Sequence, residues 1–451
     1  MTHATKRIAA LGLVAAAGVA AGCNDFLQVD NPSAVNVSSF GDSADANLLV
    51  NGVIGQFQSM IGTVAMYGAV LSDEARSSHV NASYGPIDLR TVTNLNDIVS
   101  GVYSPIQRAR YAGDTVADRL KGYEGAAAAG KDLRVARMLA MSGYSYTLLG
   151  ETFCSAPING GASQTPQQLF QAALPRLDEA ITIVKAARAA GDSGARSDSI
   201  LGLAAVAAAR TALDLGDKAK AIAYAQQVPA KFTEYRVYFA EGIPASATLP
   251  VNPYYNAEGS PVPSSATGVN INNGTSYASS ALWVTVDTAF IGLSDPRVPM
   301  TTARVNAMNG TPQFVPNKSK SFGGYVAPSA TQPAGAPMTP GASMRVASAI
   351  EAQYIIAEAN GGVASTLAFV NAQRTANRQP ASTAGTPDQI LADLRDQRRR
   401  EFYLDGHRLG DLRRYITQYN TNQFPTGPNY GDVTCFPLPL SETNSNPNAT
   451  P

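Results

Sequence analysis

The sequence predicts a mainly α-helical protein: a scaffold of paired helices carrying a long loop-rich insertion. Three observations predict it. Apolar residues recur at helical spacing through residues 46–239. Pro, Gly, Ser, Asn and Thr dominate residues 240–343. Helical spacing then returns over residues 344–418. At the ends, residues 1–22 read as a signal peptide, 23–45 as a tether and 419–451 as a C-terminal tail.

In the first helical part the clearest start is Thr165-Pro166-Gln167-Gln168. It supplies an N-cap hydroxyl, a proline at the first helical position and a glutamine at the capping-box position. Leu169, Ala173, Leu177, Ala180, Ile181 and Val184 then fall on one face. An earlier helix over residues 133–149 carries a strip of small residues, Ala136, Ala140, Gly143 and Thr147, which permits close approach of a neighbour. Residues 199–215 and 218–228 read as alanine-rich helices parted by the stop signal Gly216-Asp217. Paired helices with short turns and small contact residues read as tetratricopeptide-like units. The full repeat consensus is absent, and an irregular bundle obeys the same packing logic.

The insertion contains runs such as Pro261-Val262-Pro263-Ser264-Ser265, and residues 281–286 fit a short strand or a helix start. A loop of this length in a compact domain is usually functional. Beyond it, residues 345–360 and 364–377 read as helices. Thr386-Pro387-Asp388-Gln389 repeats the cap chemistry, with Ile390, Leu394 and Phe402 on one face. Asp405-Gly406 interrupts, residues 407–415 resume, and the chain reads as loop after Tyr419.

The leader carries an address. Lys6 and Arg7 precede an apolar run over residues 8–21, shorter than the roughly 20 residues a bilayer needs. Ala20-Ala21-Gly22-Cys23 resembles a bacterial lipobox, with Ala20 where leucine is usual; an ordinary cleaved signal is the alternative. Cys23 is then the lipidated residue, and acyl chains are the membrane anchor, since no later segment reads as apolar enough to span. Cys154 and Cys435 remain as an even pair in an oxidising compartment, which predicts a disulfide; two buried thiols are the alternative. Lys plus Arg and Asp plus Glu balance at 34 each, so nucleic acid is not an expected partner.

Several stretches resemble the SusD/RagB family of outer-membrane lipoproteins. Asp295-Pro296-Arg297 looks like the family's Asp-Pro-Arg turn. Arg345 with Glu351, Tyr354 and Ala357-Glu358-Ala359 resembles a family helix, and Asn371 with Arg374 the next. Residues 398–414, including Glu401, Asp405-Gly406, Arg408 and Asp411, resemble its Arg/Glu/Gly/Asp block. Phe436-Pro437-Leu438-Pro439, Glu442 and Asn446-Pro447 resemble its closing tail, and Cys23-Asn24-Asp25-Phe26-Leu27 its start. The resemblance implies a helical, tetratricopeptide-like SusD fold at the outer-membrane surface. It implies a SusC-like TonB-dependent transporter as partner, and a glycan or other small nutrient as ligand. Asn24 and Asp25 leave open which side of the membrane the protein faces. Binding residues of the family lie in variable loops and do not carry over.

Candidate chemistry follows from the residues themselves. Trp283, with Tyr277, Tyr254 and Tyr255 upstream, either stacks on a sugar ring or plugs the insertion onto the helices. The 398–414 block reads as structural. Asp396 precedes Arg400 by four, and Asp405 and Asp411 each precede an arginine by three, as intrahelical pairs do. Arg408 and Asp411 are candidates for bridges between helices, with Asp295, Arg297, Arg345, Glu358 and Glu401 structural beside them. Asp73-Glu74 reads as a cap or surface group, since sequence neighbours diverge on a helix. His79 and His407 without CxxC or HExxH make a zinc site unexpected, and no cofactor or catalytic motif is present. The expectation is a binding protein; a protein-binding tetratricopeptide scaffold and a carbohydrate-active hydrolase are the alternatives.

Overall fold

Helical order in the folded body begins at Ala46, where the apolar spacing begins. This computed structural model describes residues 43–77, 83–239, 284–298, 300–305, 312–316 and 343–449. Helix α1 (Ala46–Leu71) buries Val50, Val53, Phe57, Met60, Ile61 and Val64 at helical spacing. The run Ser43–Leu71 is long and apolar enough to cross a membrane, contrary to the sequence expectation. Packing explains its composition: α1 lies against α3 and buries most of its C-terminal half, as a core helix must.

Strand β1 (Ala75–Ser77) and the single turn α2 (Gly85–Asp88) lead into the helical array. That array is α3 (Asp97–Glu124), α5 (Leu133–Thr152), α6 (Pro166–Ala189), α7 (Ala195–Asp214) and α8 (Lys218–Ala225), each packed on the next. The single turn α4 (Ala126–Ala129) joins α3 to α5. Local chemistry sets the starts. Asn96, Asp132 and Asp217 accept backbone N–H bonds as N-caps, and Thr165 and Gln168 form the expected capping box. The small-residue strip does two things. A side chain at Gly143 would meet Leu177 of α6 at 2.6 Å, whereas Thr147 reaches Thr211 of α7 through a 2.7 Å hydroxyl pair.

Among the described residues, four antiparallel strand pairs decorate the helices. The short hairpin β2 (Ala156–Pro157) with β3 (Ser163–Gln164) follows α5. Strand β4 (Glu234–Val237) pairs with β8 (Met344–Ser348), and β5 (Val284–Val286) pairs with β1. Strands β6 (Met300–Val305) and β7 (Pro312–Pro316) pair with each other. Residues 281–286 were open between strand and helix; their described part, Val284–Val286, is strand.

Residues 344–348 are a correction. The sequence reads them as the start of a helix, but they form β8. All five are buried, and all but Val346, which lies at a bulge, pair with β4; this tertiary partner overrides the helical spacing. Ser348 ends the strand by accepting the Glu351 N–H, and α9 (Ala349–Asn360) begins there. Helices α10 (Ala364–Ala376), α11 (Pro387–Glu401) and α12 (Arg408–Tyr419) follow, with the expected capping box at Thr386. The tail also departs from expectation: Leu440–Ser445 forms a short helix, α13, after the extended Pro439.

Cys154 and Cys435 form the expected disulfide, with Cα atoms 5.2 Å apart. Beside it, Phe153 bridges Phe436, and the Cys154 N–H donates to the Phe436 carbonyl at 3.0 Å. The bond closes a separation of 281 residues. In the chain-entropy account such a loop contributes about 5 kcal/mol.

The α5–α6 contact yields a test. Gly143→Val should cost about 2–3 kcal/mol, because Leu177 and the Ala173 carbonyl leave no room for added carbon. Urea unfolding should show a lower midpoint at unchanged slope; an unchanged midpoint would contradict the close approach.

Candidate functional site

The structural candidates of the 398–414 block converge, with partners from the whole chain, on one buried network. Asp295 and Arg297 close their own turn: the Arg297 N–H, Nε and NH2 donate to the Asp295 carboxylate at 2.8–3.0 Å. Arg297 also reaches Gln397 of α11, which ties the turn to that helix. Arg345 of β8 donates to Asp405 at 2.8 Å and to Glu401 at 3.0 Å. Arg414 of α12 holds Glu358, Asp214 and Asp411, and Arg398 donates to the other oxygen of Asp411.

Two local expectations hold and one fails. Asp396–Arg400 and Asp411–Arg414 pair within their helices. Asp405 instead meets Arg345, and Arg408 grips Asp73 with bonds of 2.6 and 2.8 Å. Leu404 and Gly406 both have positive φ, so the chain turns sharply here and Asp405 faces away from Arg408. Gly406 is further confined, because a Cβ would lie 3.1 Å from Ala65 of α1.

Asp73 and Glu74 are therefore not surface groups. Both are buried, Asp73 on Arg408 and Glu74 accepting the Leu404 N–H at 3.0 Å. The reason is tertiary: the arginine and the backbone amide that meet them come from more than 300 positions away. Neither carboxylate faces open space as a hydrolytic pair must. Among the described residues no group of three or more His, Cys, Asp or Glu is arranged to hold a metal.

Electrostatics follow from burial. Burial would raise the Asp411 carboxyl, but Arg398 and Arg414 hold it well below the usual carboxylate range. Burial pushes the His407 imidazole down, more than the Glu351 carboxylate 3.1 Å from its Nε2 raises it. Arg210 lies on the far side of Glu351 and pairs with Glu151 at 2.5 and 2.6 Å.

A different cluster borders the insertion. Cys23, Tyr254, Tyr255, Tyr277 and Trp283 lie outside the described residues, as does His79. The backbone directly after Trp283 is described: Val284 pairs with Ser77, and Val286 with Ala75. Next to this pairing, Arg76 is one-third exposed and donates to Asp88 at 3.1 Å, with Asp287 at 3.8 Å. The Tyr430 ring lies 5.7 Å from its guanidinium. Tyr67 and the buried Tyr84 stack on each other at 6.1 Å, at the start of the turn that carries Asp88. Arg90 secures the tail behind this rim by donating to the carbonyls of Val433 and Pro425. Burial raises the carboxyls of both Asp88 and Asp287. The half-buried Tyr430 ring and the planar Arg76 cation together can stack on and hydrogen-bond a polyhydroxyl ligand.

Sequence reasoning missed the rim because its members are scattered from Arg76 to Tyr430 and no local pattern joins them. It also missed the Asn159-Gly160 turn of the β2–β3 hairpin, for which the dipeptide is a direct signal.

The sequence model of the SusD family matches residues 357–450. No curated protein matches the chain in sequence. Solved structures match its fold. A SusD superfamily protein from Parabacteroides distasonis is 15% identical with a TM-score of 0.65, over 90% of this chain and 98% of that one. One from Bacteroides vulgatus is 14% identical with a TM-score of 0.63, over 91% and 99%. A laminarin-binding SusD-like protein is 14% identical with a TM-score of 0.60, over 91% and 98%.

The buried network makes a pH prediction. Unfolded histidine titrates near ~6.5, and folded His407 titrates lower. Its contribution is thus complete above about pH 6.5 and is lost as pH falls toward the folded value. The urea midpoint should drop from pH 7.5 to pH 5, and His407→Gln should shrink that drop. An equal drop in both proteins would remove His407 as the cause.

Proposed function

Since the chain is SusD-like in fold and in the sequence of residues 357–450, we propose that it is a lipid-anchored nutrient-binding protein of the outer membrane. It captures a glycan and passes it to a SusC-like TonB-dependent transporter. The observation that carries this reading is the β1–β5 pairing, which sets the chain adjoining Trp283 next to the Arg76 and Tyr430 rim. The laminarin-binding neighbour, whose name states its ligand, adds support for a carbohydrate. The lipobox-like Ala20-Ala21-Gly22-Cys23 supports the anchor.

The mechanism is passive. The ligand is held by stacking on aromatic faces and by hydrogen bonds to Arg76 and its neighbours, with no bond made or broken. The rigid helical frame sets the rim, and the insertion completes the face. Delivery follows when protein and transporter move apart and together around the loaded ligand.

Three measurements test this. Mass spectrometry of the native protein should find acyl chains on Cys23; an unmodified cysteine there removes the anchor. Calorimetry against a panel of oligosaccharides should detect binding that Trp283→Ala weakens about tenfold, roughly 1.4 kcal/mol. Retained affinity in that variant would move the ligand face elsewhere. Purification from native membranes should bring a TonB-dependent transporter with the protein; its absence would leave delivery without a partner.

A further inference from the structure

A cleft of about 780 Å³ opens between α3, the β2–β3 hairpin and α13, on elements that contribute nothing to the Arg76 rim. Tyr103, Gln107 and Tyr111 are spaced by four along α3, so one helix face supplies the floor. Gln107 organises it. Its Nε2 donates to Tyr103 Oη at 2.7 Å and to the Pro157 carbonyl at 2.8 Å, and its Oε1 accepts from Arg110 Nε at 2.8 Å. Arg110, only 3% exposed, donates in turn to Asn159 Oδ1 at 2.9 Å. The hairpin is thereby bonded to the helix through fixed side chains.

The third wall is fixed as firmly. Asn446 and Asn448 donate to the carbonyls of Gly161 and Gly160, and Ser441 meets Ser100 at 3.2 Å. The Cys154–Cys435 disulfide ties the hairpin's base to the segment leading into α13. Three sequence-distant segments are thus held around one open volume, which is the pre-organisation a binding site needs. Within it Tyr111 is 57% exposed, and Arg108 and Asn159 are exposed beside it.

We propose that this cleft is a second ligand site, for a short neutral saccharide. Its volume lies in the range of small-molecule sites, about 300–1,000 Å³. Tyr111 offers a face for stacking, and Gln107, Asn159, Glu442 and Arg108 offer both donors and acceptors. Charges of both signs line the cleft, so an anion meets Glu442 and a cation meets Arg108, while Arg110 commits its donors to Gln107, Tyr146 and Asn159. The inference shares with the proposed function only the premise that carbohydrate is the ligand class.

The experiment uses the full chain in detergent, titrated with laminarihexaose, maltohexaose, cellohexaose and mannohexaose, and with tetragalacturonate as the charged probe. Calorimetry gives affinity, and hydrogen exchange gives location. At least one neutral hexasaccharide should slow exchange across residues 156–162. Tyr111→Ala, at an exposed position, and Asn159→Gly, which keeps the positive φ, should each weaken that binding about tenfold; unchanged affinity and protection in both variants overturn the second site. Protection confined to the insertion and its rim overturns the second site and spares the proposed function. Binding here by galacturonate alone overturns the neutral class. No binding by any neutral probe at millimolar concentration overturns both readings.

Discussion

The structure depends on a buried array of arginine–carboxylate pairs that ties the helices together. Arg408 to Asp73 and Arg414 to Asp214 join the two helical parts, while Arg345 to Asp405 and Glu401, Arg210 to Glu151, and Arg414 to Glu358 tie elements within one part. Removing water from these charges is costly, and their mutual attraction about repays it, so the pairs add little net stability. Losing one partner is different. A stranded buried charge costs about 3–5 kcal/mol, so each pair punishes any other arrangement of the helices. The array acts on register: it selects one packing among the many that Ala-rich helices allow.

That constraint has a functional consequence. The insertion leaves the scaffold after β4 and returns at β8, which are themselves paired. Both ends of the long loop are thus clamped to one place on the frame, and Arg345 within β8 belongs to the buried array. A loop with fixed ends over a rigid body can vary in sequence without disturbing the fold. The rim around Arg76 is the part of that body which meets the loop through β1 and β5.

Charge spacing alone explained two of the three pairs expected in the 398–414 block. The failure at Asp405 is instructive. Spacing rules assume a continuing helix, but Leu404 and Gly406 turn the chain and hand Asp405 to Arg345. Asp73 and Glu74 failed for a related reason: nothing near them in sequence announces the arginine and the amide they receive. The candidate rim was illegible for the same cause, whereas the Asn159-Gly160 turn was legible and overlooked.

What the amino-acid sequence determined by itself is whatever local chemistry decides. The capping boxes at Thr165 and Thr386, the stop at Gly216-Asp217 and the helical faces lie within reach of a single turn. The pairing of Cys154 with Cys435 was the expected one once Cys23 was set aside for lipid, with two free thiols as the alternative that the structure decided against. Only the tertiary structure decided that residues 344–348 are a strand, that Asp73 belongs to Arg408, and that three distant segments enclose a cleft on α3. Those outcomes depend on which surfaces meet, and a buried charge or a strand edge accepts whichever partner the packing delivers.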